Sequence, residues 1–311
     1  MNTTKVYLVI VTYNAMKWVD KCFSSLRKSE IKCYPVVVDN CSKDETVAYI
    51  REHYPEVHLI VNEKNLGFGH ANNQGIEYAY KEGCTHFFLL NQDAWIHQDT
   101  ISKIVEIQNK YDFAIVSPIH LNGTGNKMDF GFFTSAIERN IDIVSDIVIG
   151  NMKSYYEVPF INAAAWSLSR RCIETIGGFD PIFFHYGEDN NYIQRLKYNN
   201  EKIVFVPNSY IHHDRGQNGG SNTYNKYEVL SLLLMTYSNI NVPLISLSLN
   251  RIKFIVWLLK RFFEEMLKFH FSNCFYILRG YISFLGRLSY LRYSREQNRK
   301  IGANWLNLET R

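Results

Sequence analysis

Polar side chains follow four short apolar stretches in the first hundred residues. They are Thr12, Tyr13 and Asn14 after the first, Asp39 and Asn40 after the second, Asn62 after the third, and Asn91, Gln92 and Asp93 after the fourth. Carboxylate and amide oxygens accept hydrogen bonds and coordinate hard divalent cations. A single polar residue in such a place is often only a turn former, but four in register favour a ligand site.

A second group of chemically capable residues lies later in the chain. Glu188 and Asp189 open a segment of helical periodicity that runs to Tyr198. Acids in a first helical turn complement the helix dipole, which is the structural interpretation of the pair. A carboxylate beside a bound substrate can also act as a general base. His212, His213 and Asp214 follow a predicted strand and are further candidates.

Glycine and asparagine recur between the third apolar stretch and the next helical segment. Asn65 and Gly67 precede this helix, and the spacing from Gly67 to Asn72 is Gly-x-Gly-x-x-Asn. Glycine lets the backbone approach a ligand closely, and a helix N-terminus favours phosphate. A dinucleotide fingerprint would be Gly-x-Gly-x-x-Gly after the first strand, so ordinary NAD binding is disfavoured.

The elements that must position these residues alternate between strand and helix. Apolar runs predict strands at Val6–Val11, Val36–Val38, His58–Val61, Phe87–Leu90 and Ala114–Val116. The segments between them have helical periodicity, and Asp99 is the predicted N-cap of a helix that ends at Asn109. This pattern is typical of an α/β fold with a mostly parallel sheet covered by helices on both faces.

The later elements are less regular. Four glycines between residues 118 and 160 predict hairpins or a mobile loop there. Arg171–Ile176 and Glu188–Tyr198 are predicted helices, and Lys202–Val206 is a predicted strand that ends at Pro207. Tyr224–Ser238 is a predicted core helix, with a break at Pro243 before further helices.

Composition indicates a folded protein, with 46% hydrophobic, 15% aromatic and 21% charged residues in a chain of 311. The apolar run near the start is too short for a secretory signal core, so a cytoplasmic location is expected. Six scattered cysteines show no metal-ligand spacing and no disulfide framework, which fits a reducing compartment.

The charge is distributed unevenly along the chain. Residues 251–300 carry 11 Lys and Arg against 3 Asp and Glu, whereas residues 1–250 carry 22 against 26. Aromatic side chains are interleaved with these cations, which is typical of helices that lie in the interface of an anionic membrane. We prefer a membrane interface for this region. The alternatives are packing on the rest of the chain, an oligomer interface, and attraction to nucleic acid.

The order and spacing of these motifs resemble glycosyltransferase family 2, whose members have a GT-A type fold and use nucleotide-diphosphate sugars. The resemblance covers residues 5–220 and lies in VIVTYN (9–14), VVVDNCSKDET (36–46), NEKNLGFGHANNQGI (62–76), LLNQDA (89–94), GGFDPIFFHYGEDNNYIQRL (177–196) and HHDRG (212–216). Within the family the chain is most similar to rhamnosyltransferase-type enzymes of bacterial surface-polysaccharide synthesis.

The resemblance implies a role for each matching position. Asp39 would contact the nucleotide, and further nucleotide-sugar contacts would come from Thr12, Tyr13, Asn14, Asn65, Gly67, Asn91, Gln92 and Asp93. Asp93 would also bind a divalent cation, Mn²⁺ or Mg²⁺, that neutralises the leaving diphosphate. Many relatives have Asp-x-Asp at this place, whereas this chain has Asn91-Gln92-Asp93, which weakens the predicted metal site. His213 would be the other metal ligand, with His212 as the alternative.

Asp189 matches the family's catalytic base, and Glu188 would support it or contact the acceptor. The expected activity is inverting transfer of a sugar from dTDP-rhamnose or a UDP-sugar to a hydroxyl of a lipid-linked or oligosaccharide acceptor. A non-catalytic sugar-nucleotide-binding subunit and a nucleotidyltransferase are the alternatives.

The expected organisation is a catalytic domain at 1–223 and a helical, membrane-associated region at 224–311. The chain would then work at the cytoplasmic face of the bacterial inner membrane, without a nucleic-acid partner; the sequence does not indicate an oligomeric state.

Overall fold

The computed structural model describes residues 4–138, 140–215 and 227–309. The first part of the chain alternates strands and helices as predicted. Its elements are β1 (Val6–Thr12), α1 (Val19–Arg27), β2 (Cys33–Asp39), α2 (Thr46–His53), β3 (His58–Val61), α3 (Phe68–Lys81) and β4 (His86–Asn91). The four strands pair in parallel in the order β3-β2-β1-β4, so their carboxyl ends lie at one edge of the sheet.

The chain then extends the sheet on the far side of β4. The elements are β5 (Ala94–Ile96), α4 (Thr100–Tyr111), β6 (Ile115–Asn122), α5 (Phe130–Phe132), a π-helical turn (Phe133–Ile137), α6 (Ile141–Ile149), β7 (Tyr156–Glu157), β8 (Ala165–Ser169), α7 (Arg170–Thr175), α8 (Glu188–Tyr198) and β9 (Ile203–His213). In the described residues the strand order is β3-β2-β1-β4-β8-β6-β9-β5, with β7 beside β9. Among the strands of the described residues, the short strands β5, β7 and β8 run antiparallel to the others. The predicted α/β fold with a mostly parallel sheet is confirmed.

The sheet has an apolar core on each face. Val9 and Leu89 lie in one core, whereas their neighbours Ile10 and Leu90 lie in the other. Successive side chains of a strand point to opposite faces, so a strand covered on both sides must be apolar throughout. This explains the continuous apolar runs that predicted the strands.

The predicted end of the last strand was wrong. Strand β9 does not end at Pro207 but runs on to His213. A bulge in β9 accommodates Pro207. Pro118 of β6 pairs with Val206, but the next β6 residue, Ile119, pairs with Tyr210, so the pairing skips residues 207–209. His212 and His213 therefore lie within a strand rather than in a loop after it.

The irregular region predicted over residues 118–160 also contains regular structure. Strand β6 continues to Asn122, and α6 spans Ile141–Ile149. The Asn140 side chain caps α6 by accepting a hydrogen bond from the Ile143 N–H, and Gly150 ends it in a left-handed conformation. These two caps, rather than the apolar pattern, are the local signal for this helix.

The C-terminal part of the chain is helical. It comprises α9 (Glu228–Ser238), α10 (Leu244–Leu267), α11 (Phe271–Leu285) and α12 (Leu288–Asn298). Helix α10 begins directly after Pro243, as predicted. Positions 224–226 of the predicted core helix, the proposed boundary at 223 and Gly216 lie outside the described residues.

These helices share a core with the segment that precedes α8. Ile182 and Phe183, which precede α8, pack with apolar side chains of α9, α10, α11 and α12. Buried Asp180 accepts hydrogen bonds from Ser294 Oγ at 2.5 Å and Asn298 Nδ2 at 2.8 Å. Beyond α12, Leu306 packs against the core that contains Val9 and Leu89.

Among the residues that the structure describes, no helix is both long enough and apolar enough to cross a bilayer.

Candidate functional site

A cleft of about 570 Å³ opens at the carboxyl edge of β1, β2 and β4. This volume is within the usual range of small-molecule sites. Its lining includes seven of the residues that the sequence singled out, and these are Tyr13, Asn40, Asn65, Gly67, Asn91, Gln92 and Asp93. The topology thus brings together side chains that are up to 80 positions apart in the sequence.

The floor of the cleft is fixed by a reciprocal pair of hydrogen bonds between the ends of β1 and β4. The Tyr13 N–H donates to Gln92 Oε1 at 2.7 Å, and Gln92 Nε2 donates to the Tyr13 carbonyl at 3.3 Å. Gln92 is therefore engaged with the backbone, while the exposed Tyr13 ring is available to a ligand.

Asp39 is fully buried beneath this edge and has protein partners for both oxygens. Thr12 Oγ1 donates to Asp39 Oδ1 at 2.9 Å, and the Ser42 hydroxyl donates to the same oxygen, while the Ser42 N–H donates to Asp39 Oδ2. The Ser42 hydroxyl also accepts from the Asn14 N–H at 2.8 Å. One hydrogen-bond network thus contains Asp39, Thr12 and Asn14 and fixes the loops after β1 and β2. In this conformation these residues affect a ligand by setting the shape of the two loops.

Asn40 plays a similar part for the loop before α3. Its Nδ2 donates to Asn65 Oδ1 at 2.9 Å, and its Oδ1 accepts from the Leu66 N–H at 2.8 Å. Gly67 follows with φ +87°, and a Cβ at this position would lie 2.2 Å from the Phe184 carbonyl oxygen. Only glycine accommodates both the left-handed backbone and this close approach.

Asp93 and His213 face each other at one end of the cleft. His213 Nε2 lies 3.4 Å from Asp93 Oδ1, and His213 Nδ1 lies 3.6 Å from Asp129 Oδ2. Burial alone would lower the pKa of His213, but the carboxylates of Asp129 and Asp93 outweigh it and raise that pKa above its ordinary value. Arg215 in turn donates to Asp129 through Nε at 3.0 Å and Nη2 at 2.7 Å.

His212, the alternative ligand, points elsewhere. Its ring stacks on Trp95 at 5.2 Å and on His97 at 5.1 Å between centroids. His212 and His213 are neighbours in β9, so their side chains lie on opposite faces of the sheet. The geometry therefore puts His213, and not His212, beside Asp93.

The side chains around Asp93 are compatible with a divalent cation that the protein and a bound diphosphate hold together. No group of three or more His, Cys, Asp or Glu side chains within the described ranges is arranged to hold a metal ion. Asp93 and His213 supply two ligand atoms, and Asn91 Oδ1 is a buried oxygen without a hydrogen-bond partner. Mg²⁺ and Mn²⁺ are commonly held by one or two carboxylates plus substrate phosphates, so this set fits a cation bound with a diphosphate.

The acid pair lies at the N-terminus of α8, after a strained turn. Tyr186 and Gly187 both have left-handed backbone, with φ +65° and +98°. Glu188 is buried, and its Oε2 has no hydrogen-bond partner. Burial, and after it the charge of Asp189, raise the pKa of Glu188. Burial also raises the pKa of Asp189, although Asn190 donates to its Oδ1 at 2.7 Å and opposes the rise.

Backbone contacts join the acid pair to the strand ends. The Asn91 N–H donates to the Ala164 carbonyl at 2.9 Å, and the adjacent Ala163 N–H stabilises the Asp189 carboxylate. On the other side, a Cβ on Gly69 would be in van der Waals contact with Glu188 Cβ at 3.7 Å. The pair therefore lies between the end of β4 and the first turn of α3.

Several residues of the site escaped the sequence reasoning. Phe184, His185 and Tyr227 line the cleft opposite the strand ends, and the Phe184 and Tyr227 rings lie 5.9 Å apart. Asp129 lies in the region predicted to be irregular and carried no motif. For Phe184 and His185, the aromatic run between Gly178 and Gly187 was the available signal.

The profile described as "Glycosyl transferase family 2" matches residues 7–176, more than half of the chain. The chain belongs to glycosyltransferase family 2. The match includes every strand-end residue of the cleft and stops before the acid pair of α8. The family resemblance predicted from the motifs is confirmed.

Curated members of the family are similar over parts of the chain. It is 31% identical over 120 residues to the dTDP-rhamnosyl transferase RfbF of Shigella flexneri, covering 38% of this chain and 40% of the relative. It is 25% identical over 198 residues to the low-salt glycan biosynthesis hexosyltransferase Agl10 of Haloferax volcanii, covering 63% and 62%. The chain thus spans between two fifths and two thirds of the length of these relatives.

Solved structures of glycosyltransferases share the fold. Residues 1–349 of S. aureus TarS in complex with UDP match with a TM-score of 0.54 and 16% identity, covering 76% of this chain and 65% of that one. The mannosyltransferase PcManGT of Pyrobaculum calidifontis, in complex with GDP-Man and Mn²⁺, matches with a TM-score of 0.52 and 15% identity, covering 77% and 64%. The fold is of the GT-A type.

Proposed function

We propose that this protein is an inverting glycosyltransferase that moves one sugar from a nucleotide-diphosphate donor to an acceptor hydroxyl. The observation that carries the proposal is the cleft at the carboxyl edge, which has a candidate cation site at Asp93 and His213 and the acid pair of α8 nearby. A diphosphate leaving group and a nucleophilic hydroxyl need these two kinds of group.

Asp189 is the proposed base. It takes the proton of the acceptor hydroxyl while the hydroxyl oxygen forms a bond to the anomeric carbon. The bond from that carbon to the diphosphate oxygen breaks on the opposite face, and its electron pair leaves with the nucleoside diphosphate, so the anomeric configuration inverts. The raised pKa of Asp189 makes it a stronger base than an ordinary aspartate.

Asp93 and His213 are the proposed ligands of Mn²⁺ or Mg²⁺, and Asn91 lines the same cleft as Asp93. A cation bound there supplies charge neutralisation for the departing diphosphate. Asp39, Thr12 and Asn14 shape the nucleotide pocket by holding the two loops, while Tyr13, Asn65 and Gly67 line the cleft itself.

The proposed donor is dTDP-rhamnose or a UDP-sugar. The name of the Shigella relative supports the first, and UDP bound to TarS, a neighbour in fold, supports the second. The proposed acceptor is a hydroxyl of a lipid-linked glycan in bacterial polysaccharide synthesis, and the proposed place of work is the cytoplasmic face of the inner membrane. Residues 1–223 form the proposed catalytic domain.

The test combines binding with product analysis. Titration calorimetry against UDP, dTDP, GDP and NAD, with and without Mn²⁺, should reveal metal-enhanced binding of a pyrimidine diphosphate that Asp93→Ala weakens. NMR of the product from an α-linked donor should then reveal a β-glycoside, and from a β-linked donor an α-glycoside. Retention of configuration, or binding of NAD alone, would contradict the proposal.

A further inference from the structure

Helix α10 exposes an apolar stripe that belongs to none of the apolar cores in the described part of the chain. Its members recur at helical spacing and are Ile252, Val256, Leu259, Phe263 and Leu267, all exposed. At 100° per residue they lie within an arc of about 80°. The buried face of the helix, which includes Leu258, points elsewhere, into the core shared with α9 and α11. The stripe is therefore not needed for the packing of α10.

Helix α11 repeats this arrangement. Its exposed apolar side chains are Phe271, Phe275, Leu278, Ile282 and Leu285, which also lie within an arc of about 80°. Ile277 and Phe284 are buried on the other side of the helix. Two consecutive helices thus each carry one face for the protein core and a second apolar face for something else.

Three strongly exposed apolar side chains lie where α10 ends and α11 begins. Leu267, Phe269 and Phe271 are exposed by 76%, 77% and 65%. Phe269 has a left-handed backbone with φ +59°, where a residue without a Cβ is favoured. Phe269 thus combines an unfavourable backbone conformation with an exposed aromatic ring, and strained residues of this kind cluster at functional sites.

A buried carboxylate holds this connection in place. Glu265 Oε2 accepts a hydrogen bond from Asn273 Nδ2 at 2.7 Å and lies 2.9 Å from His270 Nδ1. The turn is thus bonded across its base, while its apolar side chains project outward. The connection is therefore an ordered turn, here called the tip, rather than a frayed helix end.

The charges beside the stripes decide which partner fits. On the helical wheel Lys253 and Lys260 flank the α10 stripe, and Arg279 flanks the α11 stripe, while Lys268 lies in the tip itself. All four side chains are exposed. Apolar side chains bordered by cations match an anionic bilayer, where the cations stay at the phosphate level. A second copy of this face would bring the cations against one another.

We infer that the α10–α11 hairpin docks on an anionic lipid bilayer, with Leu267, Phe269 and Phe271 inserted at its tip. This deepens the proposed function and rests on its lipid-linked acceptor, since docking would hold the catalytic cleft at the surface where that acceptor resides. Ile182 and Phe183 share a core with the hairpin, so docking would also fix the loop before Glu188 relative to the membrane.

The test uses the full-length protein and sedimentation with vesicles of phosphatidylcholine, with or without phosphatidylglycerol. The wild-type protein should bind the anionic vesicles, and added salt should weaken the binding. The triple variant Leu267→Ser/Phe269→Ser/Phe271→Ser should bind at least about 100-fold more weakly, since three large apolar side chains no longer leave water. Lys260→Gln should weaken binding roughly fivefold.

The matched control is Ile141→Ser/Val148→Ser/Ile149→Ser in α6, where the apolar side chains are exposed by 74%, 78% and 70%. It should bind like the wild type. Equal binding of tip variant and wild type, or no binding of the wild type to either vesicle, would overturn the inference. So would a tip variant that dissociates a dimer in light scattering and still binds vesicles, because a second copy would then be the occupant.

Transfer to a water-soluble acceptor separates this inference from the proposed function. The tip variant should transfer as fast as the wild type in that assay, because the catalytic residues are untouched. Absence of transfer in both proteins, while the wild type binds vesicles and the tip variant does not, would count against the glycosyltransferase proposal alone.

Discussion

Replacing Asp189 by asparagine should nearly abolish transfer without destabilising the protein. The substitution keeps the shape of the side chain, and the amide oxygen can still accept from the Asn190 N–H. It removes the negative charge and the proton acceptor. General bases contribute about 10²- to 10⁴-fold in rate, which is roughly 3 to 5 kcal/mol of activation free energy.

The stability effect follows from two opposing contributions. A carboxylate in the first turn of α8 gains about 0.3 to 1 kcal/mol from the helix dipole. Burial disfavours the same charge, and the raised pKa of Asp189 indicates that the unfavourable contribution is the larger one. Asp189→Asn should therefore have a free energy of unfolding at pH 7 that equals or exceeds that of the wild type.

The assay measures initial rates of nucleoside diphosphate release, the dissociation constant of the donor and urea denaturation on the same preparations. Glu188→Gln is the matched control, since it replaces the neighbouring buried carboxyl group by an amide and should reduce the rate less than Asp189→Asn does. A folded Asp189→Asn protein that binds donor and turns over at the wild-type rate would refute the reasoning. A variant that instead loses about 1 kcal/mol of stability would identify Asp189 as a helix cap.

Four further predictions follow from the pKa shifts and the geometry. The rate constant kcat/KM should rise with pH through a value above the ordinary aspartate pKa of about 4, since burial raises the pKa of both Asp189 and Glu188; an ascending limb at the ordinary value would contradict this. Because both pKa values are raised in the folded protein, the pair contributes its full stabilisation at low pH, and the free energy of unfolding falls as pH rises through the folded-state pKa. Glu188→Gln should make this fall smaller in urea denaturation. His213→Ala should raise the apparent dissociation constant of Mn²⁺ for the nucleoside diphosphate complex at least about tenfold in calorimetry, whereas His212→Phe, which keeps the stack, should not; equal effects would remove the assignment. Asp180→Ala should lower the free energy of unfolding by at least about 2 kcal/mol, because two buried donors of α12 lose their acceptor, and an unchanged midpoint would mean that α12 is not part of the folding unit.

Much of the fold followed from local patterns in the sequence. The apolar runs of β1 to β4 were predicted because a strand buried on both faces requires them, and the polar residues after them could be placed at one edge because parallel strands share their direction. The region over 118–160 was predicted only in part. The antiparallel bridge between Leu121 and Met128 agrees with a hairpin, whereas α6 was missed because its caps carry its signal and the glycines resemble loop punctuation.

The sequence by itself determined the fold class, the family and the residue types at the strand ends. Only the tertiary structure decided how these residues are used. The choice of His213 over His212 depends on β9 continuing past Pro207, which requires β6 and β5 as partners. Asp129 comes to lie 3.6 Å from His213 although 84 positions separate them. Such contacts arise from the packing of the whole sheet, so no local pattern encodes them.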